Sequence, residues 1–362
     1  MRSSMDHIDR FSLPDINNPQ IPFAFLNRDT FPKRGTILAV DVGGTKTNMG
    51  LFTINDSSLL LLKEETYPTK EYNSFIEVYQ QFLSSKLPKI NTICLGVAGP
   101  VINGQVRGTN FPWEIDSKKI ESQLNMGLVT IINDMEAHAY GLAVLPKNAF
   151  ETLRPGQIIP GNAALIAPGT GLGEAGMYWD GSNYHPFPSE GGHCDFCSRN
   201  QLDFQIYKYL ARKYGHVSWE RLISGPGIQD VYTFLRAHSG KEEPQWLSVK
   251  MARGNPPSVI SNSALEGKDP ICIKTLGLFI RYLAIESAQL ALKFKATAGI
   301  FVGGGILPKI IKKMDKDIFN SHFVQSGRMN PLLERVPVKV ILNDKTALLG
   351  AALLGAATSE KN

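Results

Sequence analysis

From Thr36 onward the chain alternates between short apolar runs and stretches with helical periodicity. Residues 37–41 and 48–54 read as strands joined by a glycine turn, and residues 58–66 add a third apolar stretch. Phe75, Val78, Tyr79, Phe82 and Leu83 recur at i, i+3, i+4, i+7 and i+8, the spacing of an amphipathic helix. Ile93 to Ala98 then reads as a buried strand, followed by a polar helix near 116–125, a strand at Leu128 to Ile132 and a helix at 135–145. The first third is therefore β-β-β-α-β-α-β, a mixed sheet with helices packed on it.

A second block begins near residue 145. Ala163 to Ala167 enters a glycine turn and Glu174 to Trp179 returns from it, which repeats the opening strand–Gly/Thr turn–strand pattern. Two such halves predict two similar lobes facing a cleft. Helices follow at 200–213, with Leu202, Ile206 and Leu210 on one face, and at 226–238, with Ile228, Val231, Tyr232 and Leu235 on one face. Pro226 suits the first turn of that helix and Gly240 lies beyond its end. A long helix spans about 269 to 295. Gly299 to Val302 is a strand ending in Gly303-Gly304-Gly305, with a helix from about Pro308, and Val338 to Leu342 is the last strand. Residues 344–357, rich in Ala and Gly, predict a terminal helix capped by Asn343 or Asp344. Residues 1–35 are polar, rich in Pro and Asn and without periodicity, and read as an extension that is either disordered or draped on the body.

Composition narrows the class. A chain of 362 residues with 43% hydrophobic and 20% charged residues suits a globular protein with room for two domains. The net charge of +5 is spread along the chain, which leaves no nucleic-acid footprint. No apolar stretch reaches the ~18 residues of a membrane span, and the first residues lack the apolar core of a secretory signal. Four cysteines are sparse enough for a reducing compartment, so a cytoplasmic location is expected. Cys194 and Cys197 follow His193 in His-Cys-Asp-Phe-Cys. A zinc site there lacks an evident fourth ligand, which favours incidental thiols.

The glycine turns carry the candidate chemistry. In Asp41-Val42-Gly43-Gly44-Thr45-Lys46-Thr47, the glycines let backbone N–H groups approach an anion, and Thr45 and Thr47 offer hydroxyl donors. Asp41 stands where a phosphate-bound Mg²⁺ would want an anionic outer partner. The second turn, Pro168-Gly169-Thr170-Gly171-Leu172-Gly173, contains the G-x-G-x-x-G spacing through Gly176. The residues after Gly176 are strand-like, whereas a dinucleotide fingerprint needs a helix there. No P-loop motif occurs. Asn133-Asp134 closes a strand and opens a helix, Glu190-Gly191-Gly192-His193 brings a carboxylate and an imidazole to one turn, and Glu220 precedes Ser224-Gly225-Pro226-Gly227. With Thr109-Asn110 these residues make a set suited to reading sugar hydroxyls, because carboxylates and amides pair with hydroxyls as acceptors and donors. Two phosphate turns plus such a set point to a sugar kinase.

These motifs, in this order over residues 36–356, resemble the bacterial-type glucokinase family of the actin/hexokinase/sugar-kinase superfamily. The resemblance implies a two-lobed α/β fold of the actin-like ATPase (ribonuclease H-like) type, with mixed sheets flanked by helices and an interdomain cleft. It implies a small domain from 36–145 plus 346–362 and a large domain from 146–345, after the 1–35 extension. ATP phosphates would fall to Asp41, Gly43, Gly44 and Thr45 and to Gly169, Thr170 and Gly171, and adenosine to Gly303 and Gly304. Asp134 would be the catalytic base, and Asn110, Asn133, Asp134, Glu190, His193 and Glu220 would bind the sugar. The implied reaction is ATP-dependent phosphorylation of the glucose 6-hydroxyl, the entry step of glycolysis, with ATP and Mg²⁺ as cofactors and no protein cluster holding the metal. A kinase for mannose, fructose or an N-acetylhexosamine is the alternative, as is a non-catalytic sugar-sensing relative. No nucleic-acid or membrane partner is implied, and a homodimer stays open. The extension and the Cys194/Cys197 pair depart from the family pattern, and the cysteine-rich zinc motif of the related repressor–kinase family is absent.

Overall fold

The structure, a computed structural model, describes residues 9–13, 21–24, 31–83, 88–108 and 111–359. It divides into two compact units. One comprises Met1–Ala149, Met177–Pro188 and Asn343–Asn362, and the other Phe150–Gly176 and Ser189–Leu342.

In chain order the first unit contains β1 (Arg10–Ser12), β2 (Arg34–Val42), β3 (Lys46–Asn55), β4 (Ser58–Pro68), α1 (Phe75–Phe82), β5 (Thr92–Val97), β6 (Gln105–Arg107), β7 (Glu114–Asp116), α2 (Ser117–Leu124), β8 (Val129–Asn133) and α3 (Asp134–Gly141). Its main sheet has the order β1-β4-β3-β2-β5-β8. The β1, β4, β3 and β2 strands are antiparallel neighbours, whereas β2, β5 and β8 run parallel. Strands β2 and β5 are almost wholly apolar and buried, as expected of strands covered on both faces. Each of α1, α2 and α3 starts where a short polar side chain satisfies free N–H groups. Ser74 accepts from Glu77 N, Asp116 from Lys118 N and Lys119 N, and Asn133 closes a capping box with Glu136.

The remaining elements are β9 (Phe150–Arg154), β10 (Ala163–Pro168), β11 (Leu172–Trp179), β12 (Tyr184–Ser189), α4 (Gln201–Tyr214), α5 (Gly225–Ser239), α6 (Gln245–Arg253), α7 (Pro256–Leu265), α8 (Pro270–Lys293), β13 (Gly299–Val302), α9 (Leu307–Ile310), α10 (Lys316–Phe323), α11 (Asn330–Leu333), β14 (Val338–Ile341) and α12 (Thr346–Thr358). The second sheet has the order β12-β11-β10-β13-β14-β9, with β10, β13 and β14 parallel. The run β4-β3-β2-β5-β8 and the run β12-β11-β10-β13-β14 repeat one topology, as the two matching turn patterns predict. The core of the second unit gathers around α8, which buries Tyr282, Leu283, Ile285 and Leu290 among other side chains.

Two expectations are corrected in detail, and one open alternative is decided for the residues described. The terminal helix begins at Thr346, two residues late, and Lys345 holds its cap position without a side-chain cap. Asn343 instead closes a tight turn, accepting from Lys345 N at 2.8 Å, and Thr346 Oγ1 donates to its carbonyl at 2.7 Å. The helix after Asp134 ends at Gly141, and residues 142–144 tighten into a single 3₁₀ turn. Within the 1–35 extension, read as disordered or draped on the body, Arg10–Ser12 is draped, as a strand on β4. Among the described residues no helix is long and apolar enough to cross a membrane.

Candidate active site

In the first unit the candidate residues stand at the carboxyl ends of parallel strands, where open α/β sheets place their ligands. Asp41 pairs in register with Gly96, Gly96 with Ile132, and Val97 with Asn133. Asp41 and Asn133 therefore end strands two positions apart, about 10 Å at ordinary strand spacing. Asp41 is half-buried, and its Oδ2 accepts from Asn48 Nδ2 at 2.9 Å. Burial pushes its carboxyl above the usual range, while the Asn48 hydrogen bond and the Lys46 charge pull the other way.

The Gly43–Lys46 turn is braced from one side. Gly43 N donates to Lys46 O at 3.0 Å, and Thr69 Oγ1 donates to Gly43 O at 2.8 Å. Thr47 is fully buried and its hydroxyl meets Thr69 Oγ1 at 2.9 Å. The expected hydroxyl donor at Thr47 thus supports the turn, while Thr45 is exposed. Thr47 lies within β3, packed against Thr69, whereas Thr45 lies in the turn before the strand begins.

Asn133 is 3% exposed and engaged at both ends of its amide. Its Oδ1 accepts from Met135 N at 2.8 Å, and its Nδ2 donates to Gly99 O at 3.0 Å. That ties the β8–α3 junction to the end of β5. Asp134, half-buried, is the first residue of α3, and its Oδ1 accepts from Met135 N at 3.0 Å. The carboxylate thus sits at the positive end of the helix. A Cβ at Gly96 would lie 2.8 Å from the Ala137 Cβ, so only glycine lets α3 lie this close to β5. Thr109 and Asn110 lie outside the described residues. Trp113, in the same motif, is buried and donates from Nε1 to Tyr72 O at 2.8 Å.

In the second unit the candidates converge on residues 168–174. Gly169 N donates to Gly171 O at 2.8 Å and closes the turn between β10 and β11. The strand after Leu172 is the structural reason that the G-x-G-x-x-G spacing here is no dinucleotide fingerprint. Glu220 Oε2 accepts from Leu172 N at 3.1 Å and would lie 2.6 Å from a Cβ at Gly171. Ser224 caps α5, donates to Glu220 O at 2.7 Å, and the next residue, Gly225, donates its N–H to Gly169 O at 2.9 Å. Gly303 N donates to Ile166 O at 2.8 Å, and Gly304, at φ +77°, has no room for a Cβ beside the Pro168 carbonyl.

The Glu190–His193 turn also rests on β11. A Cβ at Gly191 would collide with Glu174 Oε2, and one at Gly192 with the Leu172 carbonyl. Glu190 and His193 themselves are exposed. Cys194 and Cys197 are exposed free thiols. Sequence reasoning missed Glu174, a fully buried carboxylate within Leu172–Met177. Its signal was an acidic residue in an otherwise apolar and glycine strand.

A family model described as glucokinase matches residues 38–358. The chain belongs to the glucokinase family. Glucokinase from a Nostoc species is 38% identical over 337 residues, spanning 88% of this chain and 98% of that protein. Glucokinase from a Synechocystis species is 35% identical over 346 residues, spanning 88% and 97%. The crystal structure of glucokinase from an Antarctic psychrotroph superposes with a TM-score of 0.73 at 31% identity, covering 89% of this chain and 98% of that one. A glucokinase of the ROK family from Streptomyces griseus, in complex with glucose and AMPPNP, has a TM-score of 0.62 at 20% identity and covers 89% and 99%. At that identity the last likeness shows the fold alone. The family match begins at the core of β2, so both glycine turns, the Asn133–Asp134 junction and the Glu190–His193 turn fall inside it.

Proposed function

We propose that this protein is an ATP-dependent glucokinase that phosphorylates the 6-hydroxyl of glucose and works in the cytoplasm. The observation that carries the reading is the convergence on the start of β11. There the Gly169–Gly171 turn, the Glu220 carboxylate and the Glu190–His193 turn share residues 171–174 as support. An anion-cradling turn and side chains that read hydroxyls thus stand on one short, rigid segment.

The remaining roles follow from chemistry. Gly43 and Gly169 close the two turns through Lys46 O and Gly171 O and let the phosphates come close, while the backbone N–H groups of Gly44 and Thr45 and of Thr170 and Gly171 take the phosphate oxygens. Gly303 and Gly304, packed on the end of β10 and without side chains, leave room for the adenosine. Glu190, His193 and Glu220 accept and donate to sugar hydroxyls, with Asn110 as a further partner. Asn133, spent on Met135 N and Gly99 O, orients Asp134. Asp134 accepts the 6-hydroxyl proton as that oxygen attacks the γ-phosphorus and the bond to the β-phosphate oxygen breaks, releasing ADP. A carboxylate is a weak base for an alcohol, so its main effect is alignment, with the proton moving late.

The donor set at the first turn fits Mg²⁺ carried in by the nucleotide. Asp41 offers one carboxylate, and among the described residues no group of three ligand side chains is placed to cage an ion. With Asp41 as outer partner, a nucleotide-bound Mg²⁺ would supply neutralisation of charge on the phosphates.

The test is a coupled assay of ADP release with glucose, mannose, fructose and N-acetylhexosamines. Glucose is expected to give the highest kcat/KM. A higher value for another hexose would reassign the substrate, and ADP release with none of them would remove the kinase reading.

A further inference from the structure

Beneath the Glu190–His193 turn lies a buried charge group that none of these roles uses. Glu174 on β11 is fully buried, and neither of its carboxylate oxygens has a hydrogen-bond partner among the described residues. Glu286 on α8 is also fully buried. Its Oε1 pairs with Lys293 Nζ at 3.0 Å, and its Oε2 has no partner among the described residues. Two further groups face this one: the Cys194 thiol in the turn faces Lys293, and the Arg199 guanidinium beyond it faces Glu286.

Lys293 pairs with Glu286 and Arg199 acts on Glu286, so the buried Glu174 has no direct counter-ion, and an interior tolerates an unpaired charge poorly. A proton resolves this. Protonated Glu174 becomes a donor, and Glu286, whose charge acts on it, carries an oxygen, Oε2, without a partner among the described residues. The titration agrees: burial, then the Glu286 charge, push Glu174 up to about 8 against the pull of Lys293. Burial pushes Glu286 up to about 7, against Lys293 and Arg199. The direct ion pair makes Glu286 the charged member and Glu174 the neutral one.

The position of this acid is what gives it a consequence. Glu174 Oε2 fills the space that a side chain at Gly191 would occupy, so the turn rests on the carboxyl itself. We propose that Glu174, kept neutral beside the Glu286–Lys293 pair, is a positioning residue that holds the Glu190–His193 turn in its sugar-binding geometry. The inference rests on the assignment of that turn to the sugar. Ionisation of Glu174 sets a second negative charge against Glu286 directly behind Gly191. Hydrating that charge requires the turn to lift, which displaces Glu190 and His193.

The experiment measures kcat and KM for glucose and ATP on the full chain from about pH 7 to 9.5, above the ordinary imidazole range. Wild type, E174Q, E174A and E190Q are compared. The glucose KM of wild type should rise about fivefold or more across this range while the ATP KM stays level. E174Q, neutral at every pH, should keep the neutral-pH glucose KM and lose the rise, whereas E174A should have a high glucose KM throughout. A flat wild-type profile, or the same rise in E174Q, overturns the proposal; the latter would place the titration on a group other than Glu174. E190Q isolates the underlying assignment. An unchanged glucose KM in that variant overturns the sugar role of the turn, whereas a raised one with identical profiles in wild type and E174Q overturns only the role of Glu174.

Stability gives an independent readout. The unfolded Glu174 titrates near the ordinary glutamate value of 4.5 and the folded one near 8. Between those values the folded chain holds a proton that the unfolded chain has released, so the Glu174 contribution to stability falls as pH rises through the window. The Tm of E174Q relative to wild type should therefore be higher at about pH 8.5 than at about pH 5. A Tm difference that does not change with pH contradicts a neutral Glu174.

Discussion

At the scale of single residues, Asp134 and Glu220 separate the two halves of the proposed chemistry. Asp134 is held by its place at the start of α3, and its carboxylate is used in the protein by Met135 N. Asp134→Ala removes the proton acceptor and the alignment of the 6-hydroxyl together, so kcat should fall by about 10²–10⁴-fold while the glucose KM changes less. Turnover near the wild-type value would remove Asp134 from the base role. Glu220 has a different task. Its Oε2 accepts from Leu172 N, and a glutamine can keep that bond through its amide oxygen. Glu220→Gln should therefore fold, keep the ATP KM, and raise the glucose KM by about tenfold for the loss of a charged acceptor. Both residues were read from local signals, Asp134 from its place between a strand end and a helix start and Glu220 from the Ser-Gly-Pro-Gly turn that follows it. Glu174, Glu286 and Lys293 were not, since their meaning comes from burial and from a pairing between β11 and α8, far apart in the chain.

At the scale of elements, the glycine turns do their work by letting backbone approach backbone. Gly304 shows it most directly, with φ +77° and the Pro168 carbonyl where a Cβ would go. Gly304→Ala combines an unfavourable backbone conformation with a collision against chain that cannot swing away, a cost of about 1–3 kcal/mol. The loop from 303 to 305 should shift away from the end of β10, raising the ATP KM and lowering Tm, with the glucose KM nearly unchanged. Equilibrium binding of an ATP analogue reads this directly, and unaltered binding would release Gly303 and Gly304 from the adenosine role. Long periodic elements such as α4, α5 and α8 were legible because their burial stripe repeats with the helix period. The strand β9 and the helices α6, α7, α10 and α11 were not read. Strand β9 gains its place only by antiparallel pairing with β14, far later in the chain (Arg154 opposite Val338). No local pattern encodes such a partner. The cap of α12 failed for a related reason, since an Asx turn at Asn343 competed with helix start.

At the scale of the whole molecule, the end of the chain completes the unit that its beginning starts. The first unit takes in Asn343–Asn362, and α12 within that segment is buried along nearly its whole length. Two glycines make the fit between α12 and α3. A Cβ at Gly350 would collide with the Ala137 carbonyl, and a Cβ at Gly141 with the Thr346 carbonyl. Gly355 repeats the device against β2 and β5, where a Cβ would lie 2.7 Å from Ile37 Cγ2 and 3.3 Å from Cys94 Cβ. The small-residue composition of the terminal helix is thus a packing requirement, because interiors this dense pass strain on rather than absorb it. Gly350→Val tests it. Overpacking of this kind costs about 1–3 kcal/mol, so Tm should fall by several degrees. Because α3 carries Asp134 at its first residue, displacement of α3 should also lower kcat, though the substituted side chain itself touches no reacting group. A stability loss with kcat intact would show that α12 supports the core without setting the position of Asp134.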